Sequence, residues 1–428
     1  MPIMTTAHIA RPTTASSPLT GFLTASTELL AQEDPQLHGV VCAEHASQES
    51  TLSLLADTGV VHPSVLACMA GVARPREQLV VGPTHTHTAI ERLAAARACE
   101  VFGGAYANVL PHSLAAALGG VLGALAKPGD TVLDLRGEPL PADTFNVVEH
   151  DLTGLAQARL DEIAELVTST EPAIIIAGGR HAPAGIDYRR LRAIADAANA
   201  VLVADISGVA GQIATGMTVN PVRIAQVTVT CTHTQLFGPR GAIVIAAEPG
   251  RIAAAIANTL RWSWSGATTL QAVAGKARAL HLTASESFHE VIAAALAGAE
   301  QLAEELAGLG HRASHTELGS HVVLLHPEIK PKHAVAALTE VGVAVGGTRD
   351  DLTAGRLRLG TATLAQRRFG PSEIRQIAEL LSSVLGATRQ DGTLDEFVRL
   401  SAYDSVRRLL SQFPLPCYVP VTPWEDAR

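Results

Sequence analysis

Residues 201–241 read VLVADISGVAGQIATGMTVNPVRIAQVTVTCTHTQLFGPRG, and this stretch decides the fold. It opens with a short apolar run that ends at Asp205. Such a run, bounded by turn signals, predicts a buried strand of a parallel sheet. A Gly-rich segment follows, then a second β-branched run, Val227 to Thr232. The polar turn Thr232-His233-Thr234-Gln235 and the segment Gly238-Pro239-Arg240-Gly241 close the stretch. A carboxylate at the end of one strand and a polar loop at the end of the next mark the crevice where open α/β sheets bind ligands.

Outward from this stretch, strands and helices alternate. Apolar spacing predicts helices at Ala89 to Phe102, Leu114 to Leu125, Leu155 to Val167 and Leu191 to Ala198. Strands are expected at Thr131 to Leu135, Ala173 to Ala177 and Ala242 to Ala246. That alternation predicts a mostly parallel α/β sheet with right-handed crossovers. From about Ser285 the pattern changes. A long Ala-rich helix, His289 to Ala307, is expected to stop at Gly308. Strands His321 to Leu325 and Arg356 to Gly360 and helices Ala334 to Val341, Pro371 to Leu385 and Leu394 to Phe413 follow. The expected organisation is an N-terminal arm and helix (1–50), a large α/β domain (51–284) and a smaller C-terminal α+β domain (285–428).

The chain has 428 residues, 47% of them hydrophobic, enough for a large core and two domains. Its net charge is −9 and no basic cluster stands out, which argues against nucleic acid. The five cysteines are scattered with no CxxC pair, as suits reduced thiols in the cytoplasm. The N-terminal segment lacks the apolar core of a signal peptide, and no apolar run reaches membrane-spanning length.

The segments ADISGVAG, THTQLFGPRG, FGGAYANVLPHS and IDYRRLRAIAD resemble the serine hydroxymethyltransferase family. Its members are pyridoxal-phosphate enzymes of the aspartate-aminotransferase fold. The resemblance spans most of residues 50–385 and implies a fold-type I large domain with a seven-stranded type of sheet. It implies that Asp205 pairs with the cofactor's pyridine nitrogen, and that Arg358, in GRLRLGT, binds an amino-acid carboxylate. A bidentate guanidinium suits a planar carboxylate, and the alternative for Arg358 is a structural surface residue on an edge strand. The family's Schiff-base lysine falls on Thr234, which cannot form an imine. Its proton-handling Glu falls on Thr58, its double-Tyr loop on Val80 to Pro83, and a ring-side His on Gly208. Of its Ser-Gly-Ser phosphate cradle only Ser113 is kept, and Arg136-Gly137-Glu138-Pro139 follows the strand where the stacking His belongs. Lys276 is the least implausible relocated amine among the four lysines.

The expected function is therefore a serine hydroxymethyltransferase-like transferase, independent of pyridoxal phosphate and holding no covalent cofactor. It acts on glycine, serine or a derivative in specialised biosynthesis. The expected catalytic residues are His233, Asp205 and Thr234. The expected substrate-binding residues are Arg358, Ser113, His112, Arg180 and Gln235. A homodimer with sites at the subunit interface is implied by the resemblance. Thr84-His85-Thr86-His87-Thr88 reads either as a polar loop with Thr88 capping the next helix, or as a divalent metal site in which His85 and His87 join His233 or His112. Trp262 and Trp264 are packing residues or a pocket wall. Two other readings stand beside the transferase: a non-catalytic regulatory subunit, and an enzyme that holds pyridoxal phosphate without a covalent bond.

Overall fold

The computed structural model describes residues 18–71, 85–138, 140, 144–150, 159–180, 185–260, 269–315, 319–347 and 349–415. The strands in chain order are β1 (Leu52–Ser53), β2 (Tyr106–Asn108), β3 (Thr131–Asp134), β4 (Asn146–Glu149), β5 (Ile174–Gly178), β6 (Val201–Asp205), β7 (Val227–Cys231), β8 (Ala242–Ala246), β9 (Arg312–His315), β10 (Val322–His326), β11 (Val343–Ala344) and β12 (Leu357–Gly360). β2 to β8 form one seven-stranded sheet in the order β2-β8-β7-β6-β5-β3-β4. Its pairs from β7 through β4 are parallel, and β8 runs antiparallel to both β7 and β2. This is the mostly parallel seven-stranded sheet that the resemblance implies.

The central strands are apolar throughout because both faces of the sheet are covered. Leu133, Ile175, Leu202 and Ile243 point into one cluster, with the helices His85–Phe102, Tyr188–Ala197 and Leu270–Leu282. Val132, Ile174, Val203 and Val229 point into the other, with Leu114–Leu125 and Arg251–Thr259. The period of two along each strand sets this division. A third cluster lies around the antiparallel sheet β12-β10-β9 and the helices Glu286–Gly308, Pro371–Ala387 and Glu396–Gln412. Leu52 and Leu54 join that third cluster, and β1 pairs in parallel with β11. The chain before the large sheet is thus tied to its C-terminal part.

One expectation about helix ends is corrected and one is met. The helix predicted from Ala89 begins at His85, so Thr88 lies within its first turn and does not cap it. The long helix ends at Gly308, as expected, and the left-handed residue follows at Gly310, whose φ is +89°. The expected arm 1–16, the loop Val80 to Pro83 and the Trp262–Trp264 pair lie outside the described residues, as do the side chains of His85 and His87.

Lys276 pins the large sheet to its neighbouring turn. Its buried Nζ donates to the carbonyls of Val109 (2.7 Å), Pro111 (2.8 Å) and Ala242 (3.1 Å). It serves as a structural cross-brace, with its amine occupied by backbone. Burial pushes that amine down to about 7 from an ordinary 10.5. Between those values the unfolded chain keeps a proton that the folded chain releases, so stability rises with pH across the window. Lys276→Met should lower stability by roughly 3 kcal/mol, as carbonyls lose their donor. Urea unfolding at pH 7.5 and 9.5 checks both points: the variant should unfold at lower urea and lose the pH-driven gain.

Candidate active site

The parallel register sets Gly178 opposite Asp205, and Asp205 opposite Val229, at the carboxyl ends of three adjacent strands. The Asp205 carboxylate is 1% exposed. Its Oδ1 accepts from Ser207 Oγ (2.6 Å) and Ser207 N (3.1 Å). Its Oδ2 meets Arg136 Nη1 at 3.4 Å. Burial pushes the Asp205 carboxyl up, and the Arg136 guanidinium pulls it back. Arg136 is itself clamped on Asp134 through Nε (2.9 Å) and Nη2 (2.7 Å). Burial works to lower Arg136, but the Asp134 hydrogen bond and the Asp205 and Glu138 charges hold it above its usual range.

The polar turn after β7 stands beside this network. Thr234 is buried; its Oγ1 donates to Ser207 O at 2.9 Å and lies 3.1 Å from Cys231 Sγ. His233 is half-buried, and its Nδ1 is buried without a hydrogen-bond partner among the described residues. Burial pushes the His233 imidazole down, and Arg240 and Arg180 push it further. Gln235 spans two parts of the molecule. Its Oε1 accepts from Gly211 N (3.0 Å) and its Nε2 donates to His321 Nδ1 (2.7 Å). His321 Nε2 then donates to Ala56 O at 3.0 Å, which fixes its tautomer.

Further charges close on the turn. Arg180 donates to Glu138 from N (2.7 Å) and Nε (3.2 Å), and its Nη1 lies 3.7 Å from Asp57 Oδ2. Arg358 stands on β12 and is 6% exposed, although β12 is an edge strand. Its Nε has no hydrogen-bond partner among the described residues, and Asp351 Oδ2 is 3.9 Å away. Burial pushes Arg358 down; Asp351 and Asp57 oppose it. Asp57 and Glu138 act on most of these groups, and their fields reach Arg358, Arg180 and the histidines or Asp205.

Among the expected residues, Asp205, His233, Thr234, Gln235, Arg180 and Arg358 thus share one electrostatic neighbourhood. Ser113 caps the helix Leu114–Leu125, its Oγ accepting from Ala116 N at 3.1 Å, so its hydroxyl serves the helix. His112 is exposed. Gly208 cannot carry the family's histidine in this backbone, because a Cβ there would lie 2.8 Å from Arg180 O and 2.9 Å from Gly179 O. Sequence reading missed Arg136, Ser207, Glu138 and His321 as parts of the site. Ser207 was within reach, since a hydroxyl two residues after a strand-end Asp is placed to bond it. The others come from separations of 42 to 86 residues.

The Gln235–His321 link is a testable joint. Burial pushes the His321 imidazole below its ordinary 6.5. As pH falls through 6.5, the unfolded chain takes up a proton that the folded chain refuses, so stability falls. Urea midpoints at pH 7.5 and 5.5 should drop for the wild type and drop less for His321→Gln; equal drops would remove His321 from the account.

Comparison with known proteins places these features. The family profile described as serine hydroxymethyltransferase matches residues 30–381. Serine hydroxymethyltransferase 2 of Rhodospirillum rubrum is 30% identical over 94% of this chain and 99% of its own. Serine hydroxymethyltransferase of Marinomonas sp. (strain MWYL1) is 29% identical over 91% of this chain and 98% of its own. These matches overturn the expectation of no covalent cofactor, no pyridoxal phosphate and a divalent metal in its place. The likeness to a family of pyridoxal-phosphate enzymes runs nearly end to end, with no sign that the cofactor has been lost. No group of three or more His, Cys, Asp or Glu that could hold a metal ion occurs among the described residues. The physical reason is that a cofactor site rests on several groups besides residue 234. The buried Asp205 and the unengaged Nδ1 of His233 fit the polar groups of pyridoxal phosphate, and Thr234 changes only the bond available to its aldehyde. The profile match and the two near-full-length relatives have one consequence: this chain belongs to the serine hydroxymethyltransferase family.

Proposed function

We propose that the chain is a transferase acting on a small amino acid, glycine, serine or a derivative, in a biosynthetic reaction. The observation that carries this reading is the buried Arg358 guanidinium with an unengaged Nε. A buried cation without a close partner is costly, and a ligand carboxylate completes it. Arg180, half-exposed at the mouth, is the second guanidinium in reach of an anion. His233, kept neutral near pH 7 by its surroundings, is the group suited to accept a proton. Asp205 anchors the base of the pocket, and Thr234 and Gln235 hold its wall through Ser207 and His321. Ser113 and His112 sit at the start of the helix Leu114–Leu125, whose free amides suit an anion.

Pyridoxal phosphate, when bound, supplies an electron sink for bonds at the amino-acid α-carbon. Asp205, His233 and the amides beyond Ser113 are the groups that would hold it. The chain's own part is to orient the substrate through Arg358 and to move a proton at His233.

The division into an arm (1–50), a large domain (51–284) and a small domain (285–428) is supported by the separate hydrophobic clusters, with residues 51–56 as the bridge. Homodimerisation is supported by the two N-terminal helices, Pro18–Glu33 and Pro35–Glu49. They expose Phe22 (47%), Leu29 (50%), Val40 (62%) and Val41 (51%), and the second buries no residue. Such a surface calls for a partner. No helix among the described residues is long and apolar enough to cross a membrane.

Glycine or serine should raise the melting temperature of the wild type, and Arg358→Gln should weaken that binding about a hundredfold. A ligand shift that survives in Arg358→Gln would reject the carboxylate assignment. Light scattering should give twice the 44.5 kDa chain mass for the wild type. Val40→Asp with Val41→Asp should give a monomer; a monomeric wild type would sink the dimer.

A further inference from the structure

A cavity of about 520 Å³ lies on the far side of the turn that carries Thr234 and Gln235. Leu236 and Phe237, the next two residues, form part of its wall. Its other walls come from the first turns of Glu286–Gly308 and from residues 365–369. The interior is apolar and aromatic. The Phe237 and Phe288 rings are tilted with centroids 5.7 Å apart, and Phe369, packed edge-on against Phe413, is a third lining ring. A volume of this size with a few polar groups is typical of small-molecule sites.

The rim carries two opposite charges, Arg368 and Glu290. No hydrogen bond or ion pair engages either side chain among the described residues. Arg368 also holds a left-handed backbone, with φ +62°. That conformation costs a non-glycine residue about 1–2 kcal/mol. The sequence thus places a free guanidinium at a strained position on the lip of an apolar hole.

We propose that this cavity is a second ligand site, for a free α-amino acid with a large apolar side chain. The carboxylate lies on Arg368, the ammonium on Glu290, and the side chain among Phe237, Phe288 and Phe369. A zwitterion matches both rim charges at once, whereas a simple carboxylate or amine leaves one of them facing a like charge or none. Glycine and serine offer no side chain to fill the aromatic interior, so this site and the Arg358 site select different amino acids.

Occupancy is wired to the turn. Gly59 packs against the Phe237 ring so closely that a Cβ there would collide with it, and the same Cβ position is 3.2 Å from Thr234 O. Gln366 clamps the neighbouring Val60 by accepting from its N (2.8 Å) and donating to its O (2.9 Å). A ligand seated against Phe237 and Gln366 holds the residue 57–60 segment and the turn in one position.

Isothermal titration of the full-length protein with L-phenylalanine and L-leucine tests the proposal. Saturable binding is expected, with phenylacetate and phenethylamine at least tenfold weaker. Arg368→Gly should weaken L-phenylalanine binding at least tenfold; it also relieves the left-handed strain, so the fold is kept. Glu290→Gln should weaken it to a similar degree. Arg358→Gln should leave it unchanged, which separates this site from the one proposed above. No saturable binding of either amino acid overturns the proposal, as does binding that survives in Arg368→Gly or is lost in Arg358→Gln.

Discussion

A carboxylate buried at the mouth of a parallel sheet is the constraint from which the rest of this site follows. Asp205 is removed from water, which is costly unless cations or donors compensate. Ser207 supplies two donors from the next turn and Arg136 supplies a guanidinium from the end of β3. Arg136 in turn needs Asp134 to hold it. The chain of compensation runs outward from β6 to β3. It fixes the turns after both strands, and those turns carry Ser207 and Glu138. Ser207 does a further service by accepting from Cys231 N at 2.9 Å, which joins the β6 turn to the end of β7. One buried charge therefore organises three strand ends.

The turn after β7 faces two ways. On one side Gln235 reaches the backbone of Gly211 and the ring of His321, just before β10. On the other side Phe237 adopts φ +50°, a conformation uncommon for an aromatic residue, and turns its ring toward Phe288. The polar half of the turn thus locks two sheets together, while its apolar half walls a cavity. A neutral His321 is required for the first function, because only that form both donates to Ala56 O and accepts from Gln235. The low-dielectric surroundings that keep His321 neutral are supplied by the joint it makes.

Much of the fold was legible in the sequence. The apolar runs of β5, β6, β7 and β8 and the Ala-rich helices have periods that leave little choice of class. Asp205 and the turn His233–Gln235 were legible for the same reason: they end strands. Arg358 was legible as a residue but not as an environment, since an Arg on an edge strand reads equally well as exposed. The partners were not legible. Arg136 with Asp205, Arg180 with Glu138 and Gln235 with His321 are brought together by crossovers, which no local pattern encodes. The cofactor expectation failed for a related reason. A threonine at residue 234 states which bond cannot form there; it does not state what Asp205 and His233 bind.

Arg358 shows how burial changes the surroundings of an ordinary charge. Arg356, one strand period away, bonds Asp351 Oδ1 at 2.6 Å and remains 27% exposed. Arg358 is left 3.9 Å from the same carboxylate and sealed from water. Asp57 and Glu138 lend it a favourable field without contact. The Arg358 Nε donor has no hydrogen-bond partner among the described residues, and a guanidinium's directional donors are what discriminate a planar carboxylate from other anions. The arrangement leaves Arg358 in a dry site with its Nε unengaged among the described residues. Arg356 bonds one oxygen of Asp351, Oδ1, and Arg358 faces the other, Oδ2, beyond hydrogen-bond distance. The two arginines thus divide one carboxylate, and Arg358 keeps the weaker share of it.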